Sequence, residues 1–377
     1  MQDELVQKMN GYLDSIYIMS HSFSTKSSYK LAIVNKHGLG FRDFLKKEHN
    51  IDELEFVEQA KEEKLDVYTT LRDFVVFLDS AGYKPKTITT RLAAIKGYLR
   101  YLGLKIYTED CKQIIRVPKN VKEPEAALTR ELIQRVLRNA SPKIQTVILM
   151  LVSSGMRIGE LVQIKLSDID FTTTPTTVRL PARITKTRSA RETFISAEAT
   201  NSLKDYLVRA HSWSDNGDNS HLDDLTIFGM GYLGEKRRKE HPLYPPHLIA
   251  TGVLMRQLKN YLAKLPELDK KNPNGNRIIH FHAFRKFFRT VVGNVCGRDF
   301  AEALIGHSFY MDTYYQLSYE KKRDLYLEAE PHLTMSNFEE VEKNVKELSA
   351  KNAHLEQKFN DLLQYLKENS ISVPNFE

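Results

Sequence analysis

The sequence predicts a mainly α-helical chain with one small β-sheet, organised as a helical N-terminal domain, a mixed second domain and a helical C-terminal tail. Three observations predict it. Apolar residues recur at three- and four-residue spacing through most of the 377 residues. Strand-like signals are confined to a short central stretch, and the last 44 residues carry a heptad pattern of their own. The length fits two or three domains. An apolar content of 41% is ample for sizeable cores and excludes disorder as the main state.

In the N-terminal third, apolar spacing predicts helices over 45–48, 66–78 and 87–102 with no strand between them. The last opens where Pro85 and Thr87 suit a helix start, and Ile88, Leu92, Ile95, Leu99 and Leu102 make one face. Lys86, Arg91, Lys96 and Arg100, with Thr89 and Thr90, are expected on the opposite, polar and basic face. Pro118 and Pro124 bracket a basic run containing Lys119 without apolar periodicity, which reads as a linker. The expected division is therefore 1–117, a linker at 118–127, 128–333, and a tail from 334 to 377.

The second domain resumes with helical pattern from Leu128 through Arg138, then a strongly apolar helix, VILMLVSS, ending at Gly155. Strand signals follow in DIDFTTT, TTVRLPA and ARITKTRSARETFIS, with a turn around 187–190, so a small β-hairpin is expected among helices. In the tail, Phe338, Val341, Val345, Leu348, Asn352, Leu355, Phe359, Leu362 and Leu366 alternate in steps of three and four. That is an a/d seam over about four heptads, and a single Asn at an a position is one way of fixing register. A coiled coil that joins copies of the chain is expected there.

The formal charge of +7 averages unlike parts. The tail holds five lysines and eight acids, a net of −3, leaving +10 on the rest. A basic body is compatible with a nucleic-acid partner. No stretch approaches the roughly 18–20 apolar residues of a membrane span, and MQDELVQKMN has neither the basic nor the apolar part of a signal peptide. Cys111 and Cys296 lie far apart without metal-type spacing. A reducing, intracellular compartment is the simplest reading.

Three motifs carry chemistry only when taken together. In SSGMRIGELVQIK, Arg157 and Glu160 share a helix face. In RITKTRSARE, Lys186 sits near the hairpin turn, a long cation on a mobile element. In HAFRKFFRT, His282 and Arg285 lie one turn apart, followed by His307 in LIGHS and by Tyr314 and Tyr315 in MDTYYQL. The run HFH at 280–282 raises a metal site, but no further ligand cluster supports it. Two arginines, a lysine, two histidines and a tyrosine suit attack by a phenol oxygen on a phosphodiester. Arginine forks hold non-bridging oxygens and neutralise the pentavalent centre. Tyrosine, with an ordinary pKa of about 10, needs a base and a cationic setting. Histidine accepts the proton and lysine protonates the leaving 5′ oxygen.

These residues, in this order, resemble the tyrosine recombinases, or phage-type integrases. Arg157 in SGMRIGEL is similar to the family's first arginine and Glu160 to the acid behind it. Lys186 matches the hairpin lysine, His282 and Arg285 the HxxR box, and His307 the second histidine. MDTYYQL resembles the nucleophile segment, where Tyr314 is favoured and Tyr315 is the alternative. The resemblance spans about residues 26–333. It implies a SAM-like helical core-binding domain, an α+β DNA breaking-rejoining domain and a C-shaped clamp on double-stranded DNA with specific target sites. It also implies a 3′-phosphotyrosyl intermediate, no metal or nucleotide cofactor, and a tetramer on DNA in the cytoplasm. YLEAEPHLTM is more similar to archaeal integrase-like members than to bacterial ones, which points to an archaeal or viral origin. A type IB topoisomerase that nicks and reseals one strand, or a catalytically silent architectural protein, are the alternatives. The heptad tail favours an assembling protein over the first, and the intact residue set argues against the second.

Overall fold

A computed structural model describes residues 2–121, 123–215, 217–229, 231–240, 244–307 and 317–336, with 355, 357 and 358. The chain splits into two compact units, Met1–Glu123 and Pro124–Glu377.

The first unit is helical throughout: α1 (Gln2–Ser20), α2 (Phe23–Ile33), α3 (Phe41–Glu48), α4 (Glu53–Lys61), α5 (Val67–Ser80), α6 (Pro85–Tyr101) and α7 (Thr108–Ile114). Side-chain caps set several starts. Ser22 accepts from the Thr25 amide, Asp66 from Thr69, and Asp52 pairs with Glu55 in a reciprocal capping box. The core is aromatic, with Phe41, Phe44, Phe56, Phe74 and Tyr98 all at most 1% exposed. Phe41 meets Phe74 edge-on at 5.2 Å, the arrangement ring quadrupoles favour.

Helix α6 buries Ile88, Leu92, Ile95 and Leu99 as the spacing predicts, but the expected basic face needs one correction. Arg91 is buried. It donates to the Leu39 carbonyl at 2.7 Å and the Tyr83 hydroxyl at 3.0 Å, with its guanidinium 4.0 Å from the Tyr83 ring centroid. The reason is helical geometry: three residues from Ile88 and four from Ile95, position 91 lies on the apolar stripe. Lys86, Thr89, Thr90 and Arg100 are exposed and Lys96 partly so, although the Arg100 fork binds the Ile106 carbonyl. Lys119 is also exposed.

The second unit runs α8 (Arg130–Asn139), α9 (Pro142–Ser154), α10 (Ile158–Leu161), β1 (Ile169–Asp170), β2 (Thr176–Leu180), β3 (Arg191–Ile195), α11 (Ala197–His211), α12 (Gly231–Glu240), α13 (Pro246–Leu262), α14 (Phe281–Cys296), α15 (Arg298–Ile305) and α16 (Tyr319–Leu333). Helix α9 is buried from Thr146 through Ser154 on all sides, as an all-round apolar helix must be. It packs against α11, α14, α13, α8, α16 and β3.

The expected hairpin is a three-stranded antiparallel sheet, β1-β2-β3, paired from Thr176↔Ile195 to Leu180↔Arg191. Pairing stops at Leu180 because Pro181 has no ladder donor. Residues 181–190 then form a 3₁₀ turn and a tight turn. The tail's first residues belong to the unit's packing: Met335 is 2% exposed, and the amides of Met335 and Ser336 donate to the Glu198 carboxylate. The heptad seam lies outside the described residues except for Leu355, which is 61% exposed.

Candidate active site

The apolar run of α9 ends at Gly155, whose φ of 63° is left-handed. A Cβ there would lie 2.2 Å from Phe288 Cδ1 and 2.8 Å from Ile305 Cγ2, so both conformation and space require glycine. The turn it makes puts Arg157 at the N-cap of α10, a single turn where the sequence suggests a longer helix. Glu160, at the third position of that turn, reaches back to the Arg157 amide at 2.8 Å and binds Arg157 Nη1 at 2.9 Å.

Glu160 is 1% exposed and also holds Arg191, through Nη1 at 3.2 Å and Nη2 at 2.6 Å. Burial is the largest influence on its carboxyl and pushes it up. The hydrogen bonds and charge of Arg191, with those of Arg157, outweigh it and hold the group below its ordinary range. Of the two arginines, Arg157 is the more open, its side chain 22% exposed against 9% for Arg191.

Arg285 is buried on α14. It donates Nη1 to the Gly155 carbonyl at 2.5 Å and Nη2 to the Ile305 carbonyl at 2.7 Å. Burial and then the nearby Arg157 charge push its pKa down to about 9, which leaves it cationic at neutral pH. Arg191 Nε donates to the adjacent Leu304 carbonyl at 3.1 Å. The C-terminus of α15 thus anchors two guanidinium groups, where the helix dipole favours cations.

Gly306 closes α15 in left-handed conformation, with the Gly306 amide on the Ala303 carbonyl and the His307 amide on the Glu302 carbonyl, each at 3.1 Å. This Schellman closure delivers His307 beside Arg285. Its Nδ1 lies 2.8 Å from Glu302 Oε2. Burial, then Arg285, lower the His307 pKa against the opposing pull of Glu302. His282, exposed at the start of α14, is lowered by partial loss of water around the ring and by Lys286, Arg285, His280 and Arg157. His282 and His307 therefore each sit within the fields of Arg285 and Arg157.

Lys186 is exposed on a turn closed by the Arg188 amide and the Thr185 carbonyl at 3.3 Å, which Thr185 Oγ1 braces through Ala182 and Ser189. Tyr314 and Tyr315 lie outside the described residues. Beyond them, Tyr326 donates to the Ser153 carbonyl at 2.8 Å and the Tyr319 and Thr177 hydroxyls meet at 2.9 Å, fixing α16 to α9 and the sheet. His280 and His282 have ring centroids 6.4 Å apart, and His280 Nδ1 lies 2.8 Å from the Arg277 carbonyl. No group of three or more potential metal ligands occurs among the described residues.

Sequence reasoning missed Arg191, Glu302 and Arg289. Each left a faint signal: Arg191 follows Lys186 by five residues, Glu302 precedes His307 by five, and Arg289 is one turn past Arg285. An exposed basic run on α12, Lys236 to Lys239, was missed as well.

Residues 126–320 match the model of the phage integrase family. The chain belongs to that family. It is a tyrosine-type site-specific DNA recombinase, and its mainly helical second unit with a small sheet is the fold expected of one. The recombinase is 25% identical over 325 residues to the tyrosine recombinase XerC of Chlorobaculum parvum, covering 78% of this chain and 86% of that protein. It is 32% identical over 101 residues to the tyrosine recombinase XerA of Thermococcus onnurineus, covering 26% and 34%. Among solved structures it is similar to a XerA recombinase at 17% identity, covering 85% of this chain and 97% of that one, with a TM-score of 0.36. A lambda integrase dimer bound to a COC′ core site is similar at 14% identity, covering 72% and 90%, with a TM-score of 0.45. Among the described residues, no helix is long and apolar enough to cross a membrane.

Proposed function

We propose that Arg157 and Arg285 clamp the scissile phosphodiester of double-stranded DNA while Tyr314 attacks it, with Tyr315 the alternative nucleophile. The phenol oxygen forms a bond to phosphorus, the bond to the 5′ oxygen breaks, and Lys186 protonates that leaving oxygen. His282 and His307 bind the non-bridging oxygens and assist the proton that leaves tyrosine, and Glu160 orients Arg157. The 3′-phosphotyrosyl link keeps the energy of the phosphodiester, so rejoining needs no nucleotide. One observation carries this reading: a buried arginine held by two carbonyls rather than by a carboxylate lies within the field of a second, more open arginine and two histidines. Two cations so placed act on an anion in a shielded setting, where they are worth most.

The first unit is read as the core-binding domain, with Lys86, Thr89, Thr90, Lys96 and Lys119, and α12 in the second unit, facing phosphates. Incubation with a nicked suicide substrate bearing the recombination site is expected to trap a covalent adduct that Tyr315→Phe retains and Tyr314→Phe loses. No adduct with the intact chain sinks the catalytic reading, and the reverse pattern moves the nucleophile to Tyr315.

Assembly into a tetramer on DNA, with self-association in the heptad tail, completes the reading. Truncation after Ser336, which spares the buried Met335, is expected to lower the sedimenting mass of the chain. An unchanged mass, free and on DNA, removes the tail from assembly.

A further inference from the structure

Glu302 is a buried acid with one job too many for an ordinary ion pair. It is 5% exposed on α15, and its two oxygens are divided between partners. Oε1 accepts from Arg289 through Nε at 2.7 Å and through Nη2, with Arg298 at 3.8 Å, while Oε2 meets His307 Nδ1 at 2.8 Å. The backbone doubles this link, because the His307 amide closes the helix on the Glu302 carbonyl. We propose that Glu302 is a positioning residue that fixes the ring and tautomer of His307, with Arg289 holding the carboxylate in place. The proposal rests on the role given to His307 above.

The chemistry follows from the acceptor. Burial pushes the Glu302 carboxyl up, but the Arg289 and His307 bonds outweigh it and keep the group below its ordinary range, so it is ionised. An ionised carboxylate only accepts, so Nδ1 carries the hydrogen and Nε2 becomes the working atom. The same carboxylate stabilises the imidazolium that forms when Nε2 takes a proton. It opposes the cations that act on the ring, Arg285 from α14 and Arg157 before α10, while Arg289 from α14 and Arg298 on α15 lie on its own far oxygen. Without Glu302, His307 would face Arg285 and Arg157 with no acid beside it, and its proton affinity would fall. An opposite charge this close shifts a pKa by about one unit or more.

The test uses the full chain labelled with ¹⁵N-histidine, alongside single-turnover formation of the covalent adduct across pH. In the unaltered chain the His307 resonances are expected to report hydrogen on Nδ1 at neutral pH. In Glu302→Gln the His307 titration should move down by about one unit, and the acid limb of adduct formation should move with it. Because Arg289 loses its partner in that variant, Glu302→Gln with Arg289→Met removes both charges and guards against a merely unfolded protein. An unchanged His307 tautomer and titration in both variants overturns the proposal, whatever happens to activity. A shifted titration with an unmoved cleavage profile upholds the Glu302–His307 coupling and overturns the role of His307 in the reaction.

Discussion

The first unit of the recombinase buries one glutamate and the second buries two, and the units treat them oppositely. Glu53, at the start of α4, is fully buried with one cation: Arg42 Nε spans its two oxygens at 2.9 and 3.0 Å, while Arg42 Nη2 is buried without a partner among the described residues. There burial wins, and the carboxyl is raised above its ordinary value despite Arg42. Glu160 and Glu302 are almost as buried, yet each has a second partner and is lowered: Arg191 and Arg157 at Glu160, Arg289 and His307 at Glu302. One guanidinium does not offset the loss of water around a buried carboxylate. A further donor does: Arg157 with its backbone amide at Glu160, and the His307 imidazole at Glu302. Doubled pairing favours the ionised carboxylates of the second unit, whereas burial disfavours that of the first.

The largest effect should come from removing one of the doubly paired acids. Glu160→Gln leaves Arg157 and Arg191 facing each other with their shared anion gone, and breaking such a buried set costs about 3–5 kcal/mol. Hydrogen exchange on the full chain should show that loss in α14 and α9 and little change in α6. Equal protection of α14 in the variant and the parent would mean that the arginines find other partners, and the contrast between units would fail.

The smaller effect belongs to Glu53. Glu53→Gln is expected to change protection of α6 by only about 1 kcal/mol at pH 7, the worth of an ordinary hydrogen bond, because the charge it removes was already disfavoured. Acid separates the units further. A raised carboxyl contributes stability that is present below about 4.3 and lost as pH rises through its folded value, so α6 should gain protection on acidification. The lowered Glu160 and Glu302 contribute above that value and lose it as pH falls, and the lowered His282 starts to cost below about 6.5, so α14 should lose protection. Glu53→Gln should abolish the gain in α6 and leave the loss in α14. A gain that persists in the variant would assign it to another group.

Much of this was legible in the sequence, and what was not has physical reasons. Helix α9 announces itself by an uninterrupted apolar run and a terminal glycine, and the HxxR spacing places His282 and Arg285 on one turn wherever a helix forms. The α6 stripe was legible for its aliphatic residues but not for Arg91, because a long side chain covers apolar surface while its charged end finds a carbonyl and a ring. Arg191 and Glu302 left only a faint signal of their place in the site. Their importance lies in contacts across 31 residues to Glu160 and 13 to Arg289, distances that no local spacing encodes. In α1, Gly11 dilutes the pattern. Its missing side chain makes room for the Tyr101 hydroxyl, which would lie 2.5 Å from a Cβ.

The end of α15 has a consequence for tolerances. Leu304, Ile305 and His307 are near neighbours in sequence, with successive Cα atoms about 3.8 Å apart, and they hold two groups that arrive from other elements, Arg191 from β3 and Arg285 from α14, while carrying the imidazole themselves. Each is referred to the same short piece of backbone rather than to its own support. Thermal or mutational movement of α15 therefore displaces them in common, and errors in their mutual spacing do not accumulate. Loosening a neighbouring helix moves the whole set before it moves one member relative to another.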